Sequence, residues 1–171
     1  MQSYQVNIHD RNYTNWSLYD LSNNSTLENT ENIIPLTNKL FHGDIVTIQD
    51  NIINKVSGLD TKISIPGVLV LEGNKTFGRT PNNKRLYYRC IPDNKNYPVF
   101  LVPYDIKIGF SKHQQNKYVL FKYDNWNGKH PLGELIEVLG DVNNLEVFYE
   151  YQLYCKNLHT SIKNLTNQTN N

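Results

Sequence analysis

Hydrophobic positions along the chain fall in short runs that tend to alternate with polar ones, and polar turns separate the runs. Tyr4–Ile8 and Asn15–Leu21, the second carrying Trp16, Leu18 and Tyr19, are the first such pieces. Ser22–Asn32 is nearly all Ser, Thr, Asn and Glu and reads as a loop. The run Phe41-His42-Gly43-Asp44-Ile45-Val46-Thr47-Ile48 is a Gly-Asp turn feeding β-branched residues, which predicts the start of a strand. Asn51–Lys62 reads as a polar connector. Ile63–Leu71 predicts a strand whose Pro66-Gly67 pair marks an edge, a bulge or its first turn. Glu72–Asn83, with Gly73, Gly78 and Pro81, is a loop. Leu86–Ile91, Pro98–Pro103, Lys117–Tyr123 and Gly133–Leu139 follow as strands, with turns at Pro92–Tyr97 and Asp124–His130.

The period changes only near the end. From Asn144, Leu145, Phe148, Tyr149 and Leu153 fall at helical spacing, with Asn143 or Asn144 as N-cap and Glu146 in the first turn. The pattern predicts a helix over Asn144–Leu158 that gathers those four apolar residues largely on one side. Ser161–Asn171 is polar and rich in Asn and Thr, as frayed tails are. Many short strands and one terminal helix argue for small β-barrels and against βαβ units, which need a helix between strands. The expected class is mainly β: small barrels in tandem with a C-terminal helix. The expected division is a first barrel over 1–58, a second barrel with its helix over 59–158, and a disordered tail over 159–171.

Composition narrows the function classes. Of 171 residues, 39% are hydrophobic and 19% charged, and asparagine fills the deficit. The net charge of +1 gives no global electrostatic pull on nucleic acid, so any such footprint must come from local clustering. Cys90 and Cys155 are far apart with no C-x-x-C, which reads as two thiols in a reducing compartment. The N-terminus carries no signal-peptide pattern, and no apolar run reaches the roughly 18 residues of a membrane helix. The expectation is an intracellular protein, cytoplasmic or nuclear or packaged in a virion, with no membrane partner. The five histidines are isolated, so no zinc site is expected, and no Walker or Rossmann glycine pattern implies a nucleotide; neither metal nor cofactor is expected.

Three segments, in this order, resemble the RNase II / RNase R family, nearest to its eukaryotic exosome-type and large-DNA-virus members. Phe41-His42-Gly43-Asp44-Ile45-Val46 is similar to the strand that closes the first cold-shock barrel there. Tyr87–Pro103 is similar to the family's F-x-P-x-D-x-R-x-P segment in the second barrel. Val119–Val142, with Trp126, His130-Pro131-x-Gly133 and Leu139-Gly140-Asp141, resembles the passage just ahead of the catalytic domain. The resemblance covers roughly residues 40–157 and implies tandem small OB-type, cold-shock-like barrels, the first of them reduced, with single-stranded RNA as partner. In the family a following domain hydrolyses RNA with an aspartate cluster that holds Mg²⁺. The acids here are scattered and form no such cluster, so the chain is expected not to be an enzyme by itself.

An OB barrel binds single strands by stacking bases on aromatics and tracking phosphates with Lys and Arg. The richest candidate is Lys84-Arg85-Leu86-Tyr87-Tyr88-Arg89, where strand alternation puts Arg85, Tyr87 and Arg89 on one face and Lys84, Tyr88 and Cys90 on the other. The plainer reading is a core tyrosine between surface arginines. Phe110, Lys112 and His113, with Lys117, make a second candidate that reads equally as a solvated loop. Trp126, after Lys122–Asn125, is a third, unless it packs under the barrel rim. Two other readings remain: a scaffold that kept the fold and lost RNA, with the C-terminal helix as a protein-binding surface, or a trans-acting subunit that loads RNA onto a separate 3'-5' exoribonuclease.

Overall fold

A computed structural model describes residues 2–28, 33–50, 52–81, 85–106 and 114–156. The chain forms two compact units: residues 1–60 with Asn94–Pro98, and 61–93 with 99–171. The predicted tail over 159–171 lies outside the described residues.

The first unit is a five-stranded sheet of order β3-β2-β1-β4-β5. Its strands are β1 (Gln2–Ile8), β2 (Trp16–Asp20), β3 (Ser25–Glu28), β4 (Ile45–Gln49) and β5 (Ile52–Ser57). All four pairings are antiparallel. Aspartates set its hairpins. Asp10 accepts from Thr14 Oγ1 at 2.7 Å and from the Asn15 amide at 2.7 Å, turning β1 into β2. Asp20 accepts from the Ser22 and Asn23 amides at 2.8 and 3.2 Å, turning β2 into β3. Such Asx turns supply the backbone donors that a sharp reversal leaves unpaired. Alternation along β1 buries Tyr4, Val6 and Ile8, which pack with Leu18, Leu40, Phe41 and Val46.

Asp44 explains the His-Gly-Asp turn. It is 1% exposed, accepts from the Phe41 amide at 2.8 Å and lies 3.7 Å from Lys55 Nζ. Burial raises its pKa, and the Phe41 amide, Lys55 and the Leu59 amide oppose the rise. Gly43 takes φ +89°, a left-handed conformation that glycine adopts without steric cost. The His42 ring then turns back, and its Nδ1 accepts from the Ile8 amide at 2.9 Å.

Two strands of this unit escape the sequence reading. β3 lies in the predicted loop Ser22–Asn32 and β5 in the predicted connector Asn51–Lys62. Both are edge strands with mostly exposed side chains, so neither shows the alternation that a buried face imposes.

The second unit is a closed barrel of order β10-β8-β7-β6-β9. Its strands are β6 (Ile65–Leu69), β7 (Leu86–Pro92), β8 (Phe100–Tyr104), β9 (Lys117–Asn125) and β10 (Leu132–Asp141). The first strand pairs antiparallel with the second and the fourth, and the fifth closes on the third in parallel at Leu132↔Leu101. That is the five-stranded connectivity of an OB barrel. Pro66-Gly67 lies inside a strand paired on both sides, not on an edge. The Pro66 carbonyl accepts from the Asp93 amide at 2.9 Å, so its missing N–H falls just past the end of the β6–β7 ladder.

Phe121 fills the barrel interior and is fully buried, with Phe100 at 5.0 Å between ring centroids. Gly67 and Gly133 make room for it. A Cβ on either would come within 2.9 Å of the Phe121 ring and within 3.0 Å of a backbone carbonyl. Val119, Cys90, Val102 and Leu69 complete the core.

Residues 145–156 form a helix, α1, capped by Asn144, whose Oδ1 accepts from the Glu146 amide at 3.0 Å. Its apolar residues do not form one face. Tyr151 stacks on Tyr118 at 4.3 Å, Phe148 lies 6.1 Å from the same ring, and Val147 packs where a Cβ on Gly140 would sit. Leu145, Tyr149 and Leu153 are about 60% exposed on another side of the helix. The aromatic face of β9 selects which helical residues pack inward, and the helix covers Tyr118.

Candidate nucleic-acid interface

The outward face of β7 forms as strand alternation requires. Tyr88 and Cys90 point inward at 3% and 0% exposure, while Tyr87 and Arg89 are half-buried on the opposite face and Arg85, also half-buried, stands just before the strand. Cys90 has its thiol pKa pushed up by burial, which keeps it inert.

The long β6–β7 loop contributes what the sequence reading missed. After the 3-10 turn Glu72–Asn74, the chain comes back along β7 where β6 has ended. The Phe77 amide donates to the Tyr87 carbonyl at 2.9 Å, the Tyr87 amide to Gly78 at 2.9 Å, and the Thr80 amide to Arg85 at 2.8 Å. This ladder holds Phe77 beside the arginine face. Lys75 Nζ lies over the Phe77 ring at 5.4 Å and the Arg89 guanidinium at 5.9 Å. Cations over an aromatic face gain about 0.5–1 kcal/mol at exposed sites.

The β9–β10 loop closes the cluster. His130 meets Phe77 edge-on, with ring centroids 6.4 Å apart at 74°. Its ring hydrogen-bonds to the Val99 backbone, and its pKa is lowered first by burial and then by the nearby charges of Lys129 and Arg89. Lys75, Arg89 and His130 thus gather around one half-buried aromatic ring, with Lys129 next to His130, in a chain whose net charge is only +1.

The other candidates separate from this cluster. Lys117 is ion-paired with Asp141, its register partner on β10, so its charge is already matched within the barrel. Trp126 is only 6% exposed, so its buried ring does not offer a face for a base, against the reading of it as a base-stacking residue. Lys122 lies 3.8 Å from Glu134 in a shallow cleft of about 530 Å³ shared with Lys62 and Asp124, whose mixed charge does not suit a polyanion. Lys84, Phe110, Lys112 and His113 lie outside the described residues. Among the described residues no group of three or more His, Cys, Asp or Glu could hold a metal ion. No helix among them is long and apolar enough to cross a membrane.

Residues 87–152 match the family described as Dis3-like cold-shock domain 2 (CSD2). The chain is similar to the cold-shock/OB region of the RNase II / RNase R exoribonucleases. The apo form of Mycoplasma genitalium RNase R aligns at 15% identity with a TM-score of 0.50. The same enzyme in complex with ribose-methylated single-stranded RNA aligns at 16% identity with a TM-score of 0.51. Each alignment covers 87% of this chain but 23% of the RNase R chain, so this chain spans about a quarter of that enzyme's length. No curated protein matches the chain. The resemblance read from the three sequence segments therefore holds at the level of the cold-shock fold, and the family match begins at Tyr87, the first residue of the second segment.

Three residues of the cluster, Lys75, Phe77 and His130, had gone unremarked as site residues in the sequence. In an OB barrel the second and third strands and the loops after the first and fourth bind oligonucleotides. Here those are β7, β8, the β6–β7 loop and the β9–β10 loop, and the cluster draws on three of the four. That topological rule, applied to the predicted strands, is the signal that could have found them.

Proposed function

We propose that the chain is a single-stranded RNA-binding module whose second barrel takes the strand across Arg85, Tyr87, Arg89, Lys75, Phe77 and His130. The observation that carries this reading is the convergence of Lys75, Arg89 and His130 on the Phe77 ring beside β7. Phe77 and Tyr87 offer rings for bases, and the cations offer phosphate contacts. Stacking contributes about 1–3 kcal/mol per base, so two rings with three cations suit micromolar-range affinity. The RNA-bound RNase R structure, which shares the fold, supports the choice of ligand class. The module does not cut RNA by itself; the scattered acids support this part of the reading.

Fluorescence anisotropy with a single-stranded oligo-RNA across a salt series tests it. Binding should weaken linearly on a log–log plot with a slope near −2, since each phosphate neutralised on a single strand contributes about −0.7. Flat titrations at low salt would sink the proposal. Incubation of the labelled RNA with the protein and Mg²⁺ should leave its length unchanged.

A second reading rests on the exposed Leu145, Tyr149 and Leu153 stripe of α1, which favours a protein partner beside RNA. A second copy of this chain is the simplest such partner. Light scattering of the wild type and Leu153→Asp checks it: a dimer that the variant dissolves supports a self-contact through α1, and a monomer in both removes it.

A further inference from the structure

His130 is placed differently from the cations around it. Lys75, Arg89 and Lys129 are charged at every physiological pH, whereas an imidazole changes charge near neutrality. Its ring is held on two sides. Phe77 packs against it edge-to-face, and the Val99 backbone takes one hydrogen bond. The charged groups acting on it are Lys129, its neighbour in the β9–β10 loop, and Arg89 of β7. Both are positive, and Lys75 lies over the same Phe77 ring. In the free protein burial first, and then this company, disfavour the imidazolium and hold the His130 pKa below its usual value, against the Val99 hydrogen bond that favours the charged form.

A bound phosphodiester reverses that balance. It brings negative charge to the point where the cations converge and screens Lys129 and Arg89 from the ring. The imidazolium is then favoured, and it gains a charge-assisted hydrogen bond to the phosphate. With Val99 holding one ring nitrogen, the other is left to take the proton. We propose that RNA binding at this face is proton-linked: His130 is neutral in the free barrel and takes up one proton from solvent as the phosphodiester arrives, becoming a phosphate contact. This rests on the RNA-binding reading above and adds the regulation of that site by pH.

The sign follows from linkage. A group whose pKa is higher in the complex than in the free protein makes binding tighter as pH falls from above the bound-state value to below the free-state value. Outside that window affinity is flat. A difference of one unit corresponds to about a tenfold change in affinity.

The test measures the affinity of the full chain for a single-stranded oligouridylate by anisotropy, from mildly alkaline to mildly acidic pH at constant ionic strength. The wild type should tighten as pH falls, by about three- to tenfold, the range expected for a half to one unit of pKa difference. His130→Gln should give a flat profile, while His9→Gln, in the first unit, should keep the wild-type slope. In the wild type, the His130 ring followed by NMR should titrate at higher pH with RNA bound. Binding that is independent of pH, or a slope that His130→Gln leaves intact, overturns the proton linkage while the RNA-binding reading survives. Absence of binding at every pH overturns the RNA-binding reading and the linkage with it.

Discussion

The first unit and the second thread five strands through the same order, β3-β2-β1-β4-β5 in one and β8-β7-β6-β9-β10 in the other, yet only the second returns on itself. In both, the first strand is the hub, paired antiparallel with the second and the fourth. The difference lies in the last two strands. β9 and β10 have 9 and 10 residues and three register shifts between them; β4 and β5 have 5 and 6 residues and one shift. Closing a sheet requires tilt and stagger, and bulges supply the bending that lets a long strand come round. Without that reach, β5 stays an edge with Ile52 and Val56 over 60% exposed. The units are held together differently as well. The barrel wraps an aromatic interior around two glycines, whereas the open sheet relies on buried polar ties at Asp20, His42 and Asp44.

The largest expected effect breaks the closed member of the pair. Phe121→Ala removes the ring that both glycines accommodate and should destabilise the second unit by about 3–5 kcal/mol, the usual cost of Phe→Ala in a core. Denaturant unfolding read by Trp126 fluorescence in a Trp16→Phe background reports that unit alone, since each unit then carries one or no tryptophan. A loss below about 1 kcal/mol would mean that the barrel does not depend on this packing.

The next effect compares the two faces made by equivalent strands. β7 shows Arg85, Tyr87 and Arg89 with Phe77 alongside; β2 shows Tyr19, hydrogen-bonded to Asn24 at 3.0 Å, and the β2 sequence carries no Lys or Arg. Phe77→Ala should therefore weaken RNA binding by about 1–3 kcal/mol, one base stack, while Tyr19→Ala should leave it nearly unchanged. Equal losses from the two variants would show that Phe77 is not a specific base contact.

A smaller effect belongs to the open sheet and appears only in acid. The His42 Nδ1 accepts from the Ile8 amide, a bond that a ring protonated at Nδ1 cannot make. Burial, with His9 nearby, lowers the His42 pKa below 6.5. A folded-state pKa below the unfolded one means that the unfolded chain binds more protons in the window between them. The stabilisation is then complete above 6.5 and lost as pH falls through that value to the folded one. Urea unfolding read by Trp16 should show the wild type losing stability relative to His42→Asn from about pH 7 to about pH 5. Parallel pH profiles would show that the Ile8 bond does not hold the turn.

The same contrast between the units explains what the sequence revealed. β7 was legible because the closed sheet buries one of its faces and burial enforces alternation there, and β6 and β9 were legible as short runs of consecutive buried apolar residues. β3 and β5 were not, because an exposed edge leaves no apolar signature. The outward set Arg85, Tyr87 and Arg89 followed from a period of two. Phe77 and His130 did not, since they are 53 positions apart in the chain and meet only when two loops converge on one strand. The α1 stripe was grouped wrongly for a related reason: helical spacing groups Leu145, Phe148, Tyr149 and Leu153, but Tyr118 on β9 decides that Tyr151 is buried and Phe148 half-buried against it.

Lys117 gives the smallest effect and the finest test of where the binding face ends. Its sequence setting, beside Phe110, Lys112 and His113, suggested a phosphate contact. In the barrel it lies at the first position of β9, opposite Asp141 at the last position of β10, and the two are ion-paired. The pair joins two strands that closure requires, at a site where Lys117 is 22% and Asp141 41% exposed. Partly exposed pairs contribute about 0.2–1 kcal/mol, and Lys117→Ala should lower the stability of the second unit by that amount. It should leave the salt slope of RNA binding unchanged, because a lysine already matched by a carboxylate releases no counterion when the strand binds. A slope reduced by one phosphate's worth would show that RNA displaces Asp141 from Lys117, and the face would then extend from β7 around the barrel to β9.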